Sequence, residues 1–152
     1  MKSVQYLRAR AHEGAGMSNA FVTTQVIDRP PETVWRVLTD WHRAADWMPG
    51  VDRVTHVDDT TLRFLARKRE RTSEITAVRP GESITLTSVQ GSVRADYIYT
   101  VEGTGDATRA TLVADVTTGA LWRVVAPALR AAIRRADAGQ LDALKRLVEA
   151  ES

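Results

Sequence analysis

The sequence contains no cysteine among its 152 residues. Disulfide bonds, thiolate zinc sites and thiol nucleophiles are therefore excluded. No apolar run is long enough to cross a bilayer, which takes about 20 residues, since the longest candidate, Gly119–Ala128, is interrupted by Arg123. Residues 1–18 lack the continuous apolar segment of a secretory signal peptide. These absences lead us to expect a cytoplasmic protein without a transmembrane segment.

A strong excess of charge of one sign is also missing. The 21 basic and 19 acidic residues give a formal net charge of only +2. The sequence shows no helix-turn-helix pattern and no basic face with interleaved exposed aromatic residues. We therefore expect no nucleic-acid partner.

The common catalytic and cofactor motifs are absent as well. Gly91-Ser92 lacks the second glycine of a nucleophile elbow. Gly103-Thr104-Gly105 joins two predicted strands, whereas a dinucleotide-binding loop must lead into a helix. His42 and Asp46 share one helical face but have no third ligand beside them, and zinc prefers three or four. The sequence thus predicts no metal site and no cofactor.

What is present is the composition of a globular domain, with 43% hydrophobic and 26% charged residues. We expect residues 1–18 to form a flexible N-terminal tail. Met1–Ala11 carries basic residues and no acid, and His12–Gly16 after it is loop-like. Residues 19–152 are expected to form one domain, because domains commonly have about 100–150 residues.

The first half of the predicted domain mixes a strand with short helices. Phe21–Asp28 holds strand-compatible residues and ends at a pair of prolines. Apolar residues at helical spacing then predict two short helices, Pro31–Thr39 and Trp41–Met48.

The rest of the domain predicts a sheet followed by a helix. From Val51 to Thr117 the apolar period is two, and turns recur about every ten residues, which is typical of an antiparallel meander. Ala120–Glu151 carries an apolar stripe at helical spacing, with the main helix over Pro127–Ala150. The pattern therefore predicts an α+β fold, a curved antiparallel sheet of about seven strands around one long C-terminal helix. Since one helix covers only part of such a sheet, a cavity is expected between them.

The alternation of the later strands indicates which side chains face that helix. Tyr97 and Tyr99 share an apolar face, as do Leu112 and its neighbours on the next strand. Their hydroxyls either enter the cavity or lie at the rim of a packed core. Arg71 faces the cavity only if the odd positions of its strand point inward, which the sequence leaves open. The candidate cavity residues are Trp41, Trp47, Met48, Phe64, Arg71, Tyr97, Tyr99, Leu112, Trp122, Val125 and Leu129.

The densest basic run is Arg67-Lys68-Arg69-Glu70-Arg71. It has two interpretations. It is either the solvated tip of a hairpin or a contact for an anion or a head group at the cavity entrance.

Several short motifs follow one another in an order found in a known superfamily. In this order the sequence resembles the START-related SRPBCC superfamily, and within it the bacterial polyketide cyclase/dehydrase and lipid-transport branch. The resemblance covers roughly residues 19–150 and implies a helix-grip fold with an internal cavity. The motifs are Ile27–Trp35, Leu38–Asp40, Trp47–Val51, Thr108 and Leu141–Glu149.

The resemblance implies a hydrophobic small-molecule partner but no single reaction, because one fold hosts many functions. One hypothesis is a binding protein, monomer or homodimer, for a lipid, a polyketide or an aromatic metabolite. A second is a polyketide cyclase, aromatase or dehydratase that uses cavity Tyr and Arg residues as acid/base groups, although no catalytic residue can be assigned. A third is a protein-interaction module.

The cavity itself distinguishes these hypotheses. A volume of roughly 300 Å³ or more, with inward tyrosines, favours ligand binding. An inward arginine hydrogen-bonded to a tyrosine would favour the enzyme, and a solid core would leave only the interaction module.

Overall fold

The computed structural model describes residues 17–119 and 125–151. Within them, seven strands form one antiparallel sheet in the order β1-β7-β6-β5-β4-β3-β2. The chain runs as a meander from β2 to β7, and β1 pairs with β7. The strands are β1 (Met17–Ile27), β2 (Val51–Val57), β3 (Thr61–Ala66), β4 (Arg69–Arg79), β5 (Ser83–Gln90), β6 (Val93–Thr104) and β7 (Ala107–Thr117).

The helices of the described residues lie in two places along the chain. Helix α1 (Pro31–Leu38) and a 3-10 helix (Trp41–Asp46) follow β1, and two helices, α2 (Ala126–Asp137) and α3 (Gln140–Ala150), follow β7. Proline begins α1 because its missing N–H is not needed in the first turn, where Glu32 also complements the helix dipole. The expected α+β fold, with a helical segment at the C-terminal end of a seven-stranded sheet, is confirmed.

The C-terminal helical segment and the start of β1 differ most from the sequence prediction. The C-terminal segment is helical from Ala126 to Ala150 but is broken at Ala138 and Gly139, where glycine weakens a helix. Strand β1 begins at Met17 and so includes two residues that the sequence assigns to the tail. Most of the predicted tail, residues 1–16, lies outside the described residues. Among residues 17–119 and 125–151, no helix combines the length and hydropathy needed to span a membrane.

The helices do not cover the inner face of the sheet evenly. Helix α3 packs on β1 and β7, and α1 packs on β6 and β7. The apolar stripe of α3 is fully buried there, through Leu141, Leu144 and Val148. The main helical contacts therefore lie towards β1, β7 and β6, so the inner face of β3, β4 and β5 is left over for a cavity.

Hydrogen bonds fasten α3 to the end of β1. The Asp28 backbone N–H donates to a Glu149 carboxylate oxygen at 2.9 Å, and the Arg29 guanidinium donates to the Glu149 carbonyl at 2.6 Å. The Thr108 hydroxyl donates to the Arg29 carbonyl at 2.8 Å. Three of the separate sequence motifs thus meet in space and fix one end of the helical layer on the sheet.

Candidate ligand-binding cavity

A cavity of about 660 Å³ lies between the inner face of the sheet and helix α2. Strands β3 to β6 form its floor, α2 forms its roof, and Met48–Val51 closes one side. The apolar groups among its walls include Leu62, Phe64, Leu86, Leu129 and Ile133.

The two tyrosines of β6 project into this cavity and bond to the helical layer. The Tyr97 hydroxyl donates to Asp137 Oδ2 at 2.9 Å, and the Tyr99 hydroxyl donates to Gln140 Oε1 at 2.6 Å. The side chain of Gln140 also lies close enough to Asp137 to lower the pKa of that carboxyl. The four side chains form one polar network. The sequence left open whether the tyrosine hydroxyls enter the cavity or lie at the rim of a packed core. In the structure both tyrosines line the cavity, and their hydroxyls bond to the helical layer.

The break in the C-terminal helix positions the acceptors of this network. Asp137 is the last residue of α2 and Gln140 is the first of α3, so the two-residue break lies between them. One junction therefore meets both tyrosines, which lie two positions apart and so on the same face of β6.

Burial controls the protonation of these groups. Burial raises the pKa of Asp137 above its ordinary value, against the hydrogen bonds from Tyr97 and Gln140 and the charge of Arg67, which lower it. Burial likewise raises the pKa of the Tyr97 and Tyr99 hydroxyls. The tyrosines thus remain neutral donors at physiological pH.

The pairing of β3 with β4 shows which residues of these two strands face the cavity. Phe64 of β3 pairs with Arg71 of β4, and both line the cavity, as do Leu62 and its partner Ser73. Even positions of β3 and odd positions of β4 therefore face inward. Arg71 occupies an odd position of β4 and therefore faces the cavity, a point that the sequence left open.

The other sequence candidates fall into distinct groups. Trp41, Trp47 and Leu112 are buried in the hydrophobic core and are not part of the cavity wall. Val125 is 44% exposed and also lies outside the cavity. Trp122 is outside the described residues. The candidates that line the cavity are Met48, Phe64, Arg71, Tyr97, Tyr99 and Leu129.

Trp47 acts through a neighbour instead of through the cavity wall. Its ring packs edge-on against the ring of Tyr99, with centroids 5.8 Å apart and an angle of 87° between the planes. Aromatic pairs favour this T-shaped arrangement. Trp47 thus helps to hold Tyr99 in place from within the core.

Sequence reasoning missed Asp137 and Gln140. A signal was available, since both fall close to the apolar stripe that includes Ile133, Leu141 and Leu144. A carboxylate and an amide at such positions indicate buried polar groups that need partners.

Most of this chain matches one known protein family. Residues 19–149 match the sequence profile of the family described as polyketide cyclase / dehydrase and lipid transport. The chain belongs to this family. The comparison with curated proteins finds no matching sequence.

Several solved structures share the fold of this chain. A START superfamily protein from Mycobacterium smegmatis superposes with a TM-score of 0.70 at 15% identity, over 90% of this chain and 99% of that one. The Zhui aromatase/cyclase from a Streptomyces species has a TM-score of 0.70 at 20% identity, over 88% and 94%. Norcoclaurine synthase from Thalictrum flavum, in complex with dopamine and hydroxybenzaldehyde, has a TM-score of 0.69 at 14% identity, over 90% and 88%. The helix-grip fold expected from the sequence is confirmed.

The bond between Tyr99 and Gln140 can be tested with a double-mutant cycle. Tyr99→Phe leaves the buried Gln140 oxygen without its donor, so we expect a loss of about 1–2 kcal/mol in the free energy of unfolding. Combined with Gln140→Met, the two losses should be non-additive by at least about 0.5 kcal/mol. Urea unfolding measures both. As a control, the losses of stability from Tyr99→Phe and from Asp142→Asn, on the exposed side of α3, should add. If the losses from Tyr99→Phe and Gln140→Met also add, the result would contradict the network.

The raised pKa of Asp137 predicts a pH-dependent difference in stability. The folded state binds this proton more tightly than the unfolded state, so the contribution of Asp137 to stability is full below its ordinary value of 3.8 and falls as pH rises through the raised pKa. Asp137→Asn retains an acceptor for Tyr97 but cannot titrate. Its stability relative to the unmodified protein should therefore rise with pH across that window, as measured by urea unfolding at a series of pH values.

Asp58 provides a control of opposite sign. A hydrogen bond from His56 lowers the pKa of Asp58 to about 2. Its stabilisation is present above the ordinary value of 3.8 and is lost as pH falls towards 2. Asp58→Asn should therefore lose stability relative to the unmodified protein as pH rises through that range. The same slope in both variants would argue against burial as the cause at Asp137.

Proposed function

We propose that the protein binds a hydrophobic small molecule, such as a lipid, a polyketide or an aromatic metabolite, in this cavity. The main support for this proposal is the cavity of about 660 Å³ under α2, whose walls are largely apolar. Ligand sites are commonly about 300–1,000 Å³ and are lined by apolar groups with a few polar ones. A cytoplasmic location and a monomeric or homodimeric state stay predictions from the sequence.

The polar network supports binding over chemistry. Both tyrosine hydroxyls already have acceptors in Asp137 and Gln140, so they do not need a ligand to satisfy them. Among the described residues, the side-chain hydrogen bonds of these tyrosines go to the helical layer and none goes to an arginine. A satisfied network leaves the apolar surface as the main source of affinity.

One observation favours the alternative, a cyclase, aromatase or dehydratase. A carboxylate whose pKa is raised by burial, bonded to a tyrosine in a cavity, is the kind of group that general acid/base catalysis uses. In that case Asp137 and Tyr97 would exchange protons with the substrate, and Arg71 would stabilise a developing negative charge. The family description and the Zhui aromatase/cyclase similarity are compatible with this alternative.

Filling the cavity tests the binding proposal. The neutral fluorescent probe N-phenylnaphthylamine should bind saturably to the unmodified protein. Ala136→Phe places a ring in the cavity wall, and we expect its affinity for the probe to fall about tenfold, since overpacking commonly costs 1–3 kcal/mol. Ala131→Phe, on the exposed side of the same helix, should bind within about twofold of the unmodified protein. Absence of saturable binding, or equal losses in both variants, would refute the proposal.

The natural ligand separates binding from catalysis. Native mass spectrometry of the protein purified from its own host should show a bound small molecule. We expect that molecule to keep its mass when it is incubated with fresh protein. A change of mass that Tyr97→Phe abolishes would instead establish the enzymatic alternative.

A further inference from the structure

The floor of the cavity changes from apolar to polar along the strands. At one end, Leu86 of β5 pairs with Tyr97 of β6, and both line the cavity. Towards the start of β6, two positions from Tyr97, Ala95 pairs with Ser88 of β5. At the next inward position, Val93 of β6 pairs with Gln90 of β5. The cavity wall therefore has an apolar end and a polar end.

The polar end carries a concentration of positive charge. Arg67, Arg69 and Arg71 all line the cavity. Ala66 pairs with Arg69 and Phe64 with Arg71, which places both arginines on the inward face of the hairpin. Arg71 is half-buried, so its guanidinium is partly withdrawn from water.

These charges are not balanced by the surrounding walls. Asp137 is the acidic side chain of the described cavity wall, and it faces Arg67, whose charge lowers the pKa of Asp137. Within the described residues, no ion pair to Arg69 or Arg71 is formed. Two guanidinium groups at one end of an apolar cavity thus remain available to an anion.

The turn that carries this hairpin has an unfavourable backbone for its residues. Arg67 and Lys68 have φ values of 51° and 68°, and a left-handed conformation costs a residue with a Cβ roughly 1–2 kcal/mol. Glycine occupies the positive-φ position in the three later hairpins, at Gly81, Gly91 and Gly105. Of these two residues Arg67 lines the cavity, so a basic side chain stands at this end of the wall where glycine would fit the backbone better.

Resting on the proposed function, we infer that the ligand is an amphipathic anion. Its apolar body lies along the floor towards Tyr99, and its carboxylate or other anionic head group lies between Arg69 and Arg71. Guanidinium groups suit such oxyanions because they present several N–H donors in a fixed plane. A neutral or cationic ligand of the same size would leave these charges unmatched or opposed.

Two fluorescent probes with the same ring system test this inference. Anilinonaphthalene sulfonate carries an anionic group, and N-phenylnaphthylamine lacks it. We expect the sulfonate to bind about tenfold more tightly at low ionic strength, because its charged oxygens accept stronger hydrogen bonds from the guanidinium groups than a neutral group does. This advantage should shrink in about 0.5 M salt. Ala136→Phe should weaken both probes, which would assign both to the cavity.

Variants then locate the anion. Arg69→Gln/Arg71→Gln should weaken sulfonate binding about tenfold and leave the neutral probe within about twofold. Arg63→Gln is the matched control, since Arg63 is exposed on β3 at an outward position and is not part of the cavity wall. It should change neither affinity by more than about twofold.

The outcomes separate this inference from the proposed function. Equal affinities for the two probes, or equal effects of the double variant on both, would overturn the anionic ligand and leave hydrophobic binding intact. A similar loss of sulfonate binding in Arg63→Gln would show that general surface charge is responsible, and would also overturn it. Failure of both probes to bind saturably would overturn both proposals.

Discussion

Two tyrosine hydroxyls in an apolar interior impose the constraint on which the rest of this structure depends. Each buried hydroxyl needs an acceptor, and the sheet around β6 offers apolar side chains. The acceptors come instead from Asp137 and Gln140, about forty residues further along the chain. Meeting both tyrosines requires the α2–α3 junction to lie over β6.

The same bonds explain why the interior is divided into a core and a cavity. The Arg29–Glu149 contact fastens α3 over β1, and the tyrosines fasten the junction over β6. Helix α2 forms the roof of the cavity, and strands β3 to β6 form its floor. The space above β3 and β4 is part of the cavity. The hairpin of these two strands contributes Arg67, Arg69 and Arg71 to the cavity wall, and this connects the fold to the charge of the proposed ligand.

Much of the architecture followed from local patterns. The apolar period of two between Val51 and Thr117 and the turn residues between its runs predicted the meander, and the helical stripe after it predicted the C-terminal segment. The candidate site was less predictable. Leu129 and Phe64 line the cavity as proposed, whereas Trp47 is in the core and Val125 is 44% exposed. Hydrophobicity alone cannot separate these positions, because a core side chain and a cavity side chain are both withdrawn from water.

The sequence by itself determined the order of elements, the apolar faces of the later strands and the family resemblance, because these depend on short-range periodicity and on motifs read along the chain. Only the tertiary structure decided that Arg71 faces inward and that Asp137 and Gln140 join Tyr97 and Tyr99. The inward face of a polar strand is fixed by its pairing with neighbouring strands, and a hydrogen bond across forty residues by helix packing. The apolar stripe near Asp137 and Gln140 indicates their burial, but the partners of these side chains and the inward face of β4 cannot be read from local periodicity, so the polarity of the cavity emerges only once the chain is folded.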